Sequence, residues 1–73
     1  MDNSTDNFIE ELNINVYRNI VKFTLESMKE ISEKEPEYNL QYDIIRYYED
    51  TIKREGKITQ QEFLQICNDV GIK

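Results

Sequence analysis

The sequence predicts an all-α fold, a small three-helix bundle with a long first helix, and three observations carry that prediction. Apolar residues recur at intervals of three and four in three separate stretches, 9–31, 40–52 and 63–70, which is the period of an amphipathic helix. The composition is 33% charged and holds only two Gly and one Pro, which favours helix over sheet or disorder. The breakers stand where helices should stop, with Pro36, Gly56 and Gly71 each following one of the stretches. Proline expels its predecessor from helical geometry, and glycine accepts the left-handed C-cap that other residues resist. One domain is expected from 73 residues, with helices at about 7–34, 39–55 and 60–70. A core this small leaves only a few kcal/mol of net stability.

The first helix organises the rest. Asn3, Ser4, Thr5 and Asp6 all offer side-chain oxygens for its N-cap, and acidic residues there suit the positive end of the helix dipole. With Val16 at zero and about 100° per residue, Ile9, Leu12, Val16, Ile20 and Phe23 fall within about 40° of one line, and Ile31 at about 60°. That line is the expected core stripe. A second set, Ile14, Tyr17, Val21, Leu25 and Met28, falls at roughly 100° to 180°, so the apolar arc spans about 220°, wider than a surface helix needs. Two readings follow. Either the later helices clasp the first from both sides, or one face awaits another protein. Asn13 and Asn15 are mediocre helix formers, but the period continues across them. The pairs Lys29 with Glu33 and Glu30 with Lys34 support the last turns before Pro36 forces an end.

The second helix presents Leu40, Ile44, Tyr47, Tyr48, Thr51 and Ile52 on one stripe, with Ile45 at its margin and Tyr38 and Tyr42 pointing elsewhere. The third has the sharpest local signal. Thr59 followed three residues later by Glu62 forms a capping box, and Ile58 and Phe63 flank it as a hydrophobic staple. Phe63, Ile66, Cys67 and Val70 then share a face, on which Cys67 reads as a buried small hydrophobe.

Charge and composition exclude several functions. A net charge of −6 repels phosphate backbones and anionic membranes, so no nucleic acid and no membrane is expected as a partner, and a positively charged protein surface is. One cysteine rules out an intrachain disulfide, and the lack of His removes the usual metal ligand and general base. No apolar run approaches the ~20 residues of a membrane span, and residues 1–7 are acidic and polar where a signal peptide is basic and then apolar. A cytoplasmic protein is expected. Gly56, Ile58 and Glu62 imitate part of an EF-hand loop, but that register puts Thr51 and Lys53 at the first ligand positions, and a lysine repels calcium. Residues 58–72 imitate the start of a helix-turn-helix without room for a recognition helix. No nucleophile stands beside a base near a glycine-rich turn, so no enzyme, cofactor or metal is expected. The acidic first turns, with Asp6, Glu10 and Glu11, are the residues suited to a basic site on a partner.

The segment Ile9, Glu10, Glu11, Leu12, then Val16, Tyr17, Ile20, Val21, Phe23 and Leu25, resembles the first helix of the epsilon antitoxins of epsilon/zeta toxin-antitoxin modules. Leu40, Asp43, Ile44, Ile45 and Glu49 resemble that family's second helix, and Glu62, Leu64 and Gln65 recur at similar spacing in a later one, together about two thirds of the chain. The connection around 33–39 is longer here, and the chain stops where the family continues. The resemblance implies a three-helix antitoxin that inhibits a zeta-type P-loop kinase toxin, an enzyme that phosphorylates UDP-N-acetylglucosamine, by occluding its nucleotide site with the N-terminal helix and assembling with it in a higher-order complex. A site built for phosphates is electropositive, which suits an acidic plug. On this reading Asp6, Glu10 and Glu11 meet the phosphate site, while Tyr17, Val21 and Leu25 supply apolar anchoring. Two alternatives stand beside it: an acidic phage-type inhibitor of a nucleic-acid enzyme, and a self-associating helical domain.

Overall fold

The computed structural model describes the backbone of residues 3–72 and the side chains of residues 12–72. The first helix runs Asn3–Lys34 over 32 residues. The second starts at Leu40–Tyr47, passes through a π-helical stretch, Tyr48–Ile52, and closes with Lys53–Glu55. The third is Gln60–Asp69. Among the described residues there is no strand. The helices run up, down and up: Tyr17 of the first meets Glu55 at the end of the second, Arg18 meets Glu62 at the start of the third, and Lys29 meets Val70 at its end.

The ends follow from local chemistry. Asn39 caps the second helix by accepting a hydrogen bond from the Tyr42 backbone N–H at 3.0 Å. Gly56 ends it at φ 63°, a left-handed conformation that suits glycine. The capping box closes as expected, the Thr59 hydroxyl accepting from the Glu62 N–H and the Glu62 carboxylate accepting from the Thr59 N–H, both at 3.1 Å. The π-helical stretch is a departure from the uninterrupted second helix that the spacing predicts. The Lys53 N–H bonds the Tyr48 carbonyl five residues back, and this wider turn rotates Ile52 back toward the line of Ile44 and Tyr48. Ile52 is thereby fully buried, while the rings of Tyr47 and Tyr48 lie 6.1 and 5.3 Å from that of Phe63.

The core consists of Val21, Leu25, Ile52, Ile58, Phe63, Ile66 and Cys67, with Ile14, Tyr17, Met28, Ile44, Tyr47, Tyr48 and Val70 packed around it. This corrects the expectation for the first helix. The stripe through Val16 lies on the surface, and the other stripe forms the core, with Val21 1% and Leu25 0% exposed. The reason is the connection between the second and third helices. The second and third helices are joined by only the four residues 56–59, and connections this short join antiparallel neighbours. The later helices therefore stay neighbours and cover one face only. That face is selected by what borders it: Arg18 pairs with Glu62, and the Lys29 ammonium donates to the Val70 carbonyl at 3.0 Å, at the negative end of the third helix.

Candidate interaction surface

The first helix keeps its outer face in water. Leu12 is 51% exposed, Val16 50%, Ile20 56%, Phe23 71% and Ile31 44%. These large apolar side chains form a contiguous row along the exposed side of the helix, a feature of the kind found at interaction surfaces. Its polar members carry no charge between Leu12 and Ser27, being Asn13, Asn19 and Ser27 itself. The Ser27 hydroxyl donates to the Phe23 carbonyl at 3.1 Å, and the bordering Thr24 hydroxyl donates to the Ile20 carbonyl at 2.9 Å. Covering this face therefore leaves neither hydroxyl unsatisfied. The Lys34–Glu30 ion pair at 2.9 Å closes the C-terminal end of the row.

The residues expected to face a partner divide. Asp6, Glu10 and Glu11 lie on the backbone of the first helix, but their side chains fall outside the described residues. Val21 and Leu25 are buried in the core and offer no surface to another protein, while Tyr17 is half-buried and packs against that core. Tyr17 is pinned at the turn between the later helices. Its hydroxyl donates to the Glu55 carboxylate at 2.8 Å, and the Lys57 ammonium lies 5.0 Å from its ring. Desolvation, and after it the bond to the Glu55 carboxylate, push its hydroxyl up to about 12. Tyr38 is likewise raised to about 12, by desolvation and by Asp43.

Other features of the surface are minor. A cleft of about 200 Å³ opens between the second and third helices, lined by Ile44, Ile45, Tyr48, Glu49, Gln60, Phe63 and Leu64. It is smaller than the ~300–1,000 Å³ of a cofactor site and has room for one large side chain. Burial raises the Cys67 thiol, which keeps it in its unreactive protonated form. Among the described residues no group of three His, Cys, Asp or Glu side chains could hold a metal ion, and no helix is long and apolar enough to cross a membrane.

The outer face is what sequence reasoning placed wrongly, and two signals pointed to it. One is the short 56–59 connection. The other is the absence of charge on that side from Leu12 to Ser27, whereas Arg18 and Lys29 border the opposite face. No protein-family model, curated protein or solved structure matches this chain.

Proposed function

We propose that this chain is a non-enzymatic interaction protein, an inhibitor of the antitoxin type that engages a P-loop kinase with the first turns of its first helix. One observation carries the reading: the longest helix gives only one of its two apolar faces to the chain's own core and keeps Leu12, Val16, Ile20, Phe23 and Ile31 exposed. A helix that served the bundle alone would be polar on that side. The resemblance of residues 9–25 to the first helix of the epsilon antitoxins supports the choice of partner. The net charge of −6 suits a phosphate-binding site, whose field is positive.

Binding kinetics against a P-loop kinase encoded beside this gene test it. Reversing Glu10 and Glu11 to Lys is expected to slow association and to remove much of its salt dependence, because charges at the edge of an interface act on encounter more than on residence. Unchanged association and unchanged kinase inhibition in a variant that stays helical would remove the basis for the antitoxin reading.

A further inference from the structure

We propose that the cleft between the second and third helices receives a basic amphipathic helix of a partner protein, which seats one large apolar side chain against Tyr48 and Phe63 and sets a Lys or Arg beside Glu49. No residue of the first helix lines this cleft. The surface is therefore separate from the first turns of the first helix, and the proposal does not depend on the antitoxin reading.

The cleft is lined by side chains that the bundle covers on one side only. Its inner lining is Ile44, Tyr48 and Phe63, and Phe63 is 2% exposed, so the opening of about 200 Å³ reaches down to the core. Its edges are Ile45 of the second helix, 60% exposed, and Leu64 of the third, 54% exposed. An apolar side chain entering between them leaves water and takes both edges with it, which is the arrangement of an anchor in a pocket. The backbone beside it is also unusual. Tyr48 and Glu49 open the π-helical stretch, and single turns of this kind recur at binding sites.

Charge selects the occupant. Glu49 is the one charged residue among those lining the cleft, and the chain as a whole carries −6. A cationic segment is therefore drawn in and an acidic one repelled. The Glu49 carboxylate reaches Lys53 of its own helix at 3.5 Å, longer than the ~2.7–2.9 Å of a charge-assisted bond, so it has capacity for a closer cation. Spacing selects the form of the segment. Ile45 and Glu49 stand four residues apart, about 6 Å along the helix axis. A partner helix lying along the cleft matches that distance with an apolar residue and a Lys or Arg four positions on. An extended segment would draw its affinity from a strand edge, and among the described residues there is no strand.

Nuclear magnetic resonance titration of the full chain, labelled at the Ile and Leu methyls, tests this. The probes are synthetic Ala-rich helical peptides carrying one Leu, Met or Phe and a Lys four residues later, with matched peptides in which Glu replaces the Lys. Saturable shifts are expected at Ile44, Ile45 and Leu64 with the Lys peptides, and weaker binding with the Glu peptides. Leu64→Glu alters an exposed position and should leave the melting temperature nearly unchanged, while weakening the peptide roughly ten-fold or more. Glu49→Gln should weaken it by about two- to five-fold at low salt and by less at high salt. No saturable shift with any peptide, shifts confined to the exposed row of the first helix, or equal binding of the Lys and Glu peptides would overturn the proposal. The two readings separate cleanly, because reversing Glu10 and Glu11 tests the kinase reading and leaves the peptide titration unchanged.

Discussion

Leu25 and Phe23 stand two residues apart on one helix, and the first is wholly buried while the second is 71% exposed. Helical geometry turns them about 200° away from each other, so they report on opposite faces. Leu25→Ala is expected to cost ~2–5 kcal/mol, because it leaves a cavity in the centre of the bundle. Phe23→Ala should change the stability of the monomer by less than ~0.5 kcal/mol. Urea melts of both variants, taken dilute enough to exclude self-association, check the contrast. Equal costs would mean that the outer face is packed inside the fold. Two further residues set the response to pH. The backbone bond from Thr59, with the Arg18 guanidinium beside it, holds the Glu62 carboxyl below the usual carboxylate range. A depressed carboxylate stabilises the fold above its unfolded pKa, and that contribution is lost as pH falls through the folded value. Glu62→Gln keeps a capping side chain but loses the charge, so its stability should fall less steeply below about pH 4. Tyr17 has the opposite sign. Its hydroxyl is raised from 10.0 to about 12, so its contribution is complete below pH 10 and disappears as pH rises through about 12. Tyr17→Phe should remove that alkaline loss, as read from stability measured across this range.

The three helices differ in how far their own residues determine them. The third is specified locally, by a complete capping box, the buried Ile58 and Phe63, and Gly71 at φ 86° beyond its end. Thr59→Ala should therefore cost ~1 kcal/mol in thermal unfolding, the ordinary loss of an N-cap. Gly71→Ala should cost about as much again, because L residues resist the left-handed region at φ 86°, while the Lys29 ammonium 2.7 Å from the new Cβ sits at the end of a flexible side chain and can move aside. Full retention of stability would show that residue 71 leaves the left-handed conformation without cost. The second helix is shaped by its neighbours. Its π-helical stretch has no signature in the apolar spacing, because it exists to seat Ile52 beneath Phe63 and Tyr48, and only the packed third helix supplies that demand.

At the scale of the molecule, the chain measures 54 × 19 × 15 Å. That is the shape of one long rod with two shorter ones along a single side. Phe63 joins the three, being buried against the first helix and ringed by Tyr47 and Tyr48 of the second. Phe63→Ala should cost ~3–5 kcal/mol, close to the whole stability of a domain this small. A cooperative transition near the original midpoint would show that the third helix is not docked.

What the sequence determined by itself is whatever neighbouring residues decide among themselves. Pro36 and Gly56 end the first two helices, Thr59 with Glu62 starts the third, and the 3.6-residue period makes all three helical. The all-α bundle was legible for that reason. The choice between the two apolar faces of the first helix was not, because both carry rows of similar size and a periodicity has no preferred direction. Tertiary structure decided it, through a short connection at 56–59 that keeps the second and third helices neighbours and through Arg18 and Lys29, which find their partners 44 and 41 residues away. The same decision buried Val21 and Leu25, set Tyr17 against the edge of the core, and left Leu12, Val16, Ile20, Phe23 and Ile31 outside. Which residues can meet a partner is thus a property of the packed molecule, since a side chain committed to its own core has no surface left to offer.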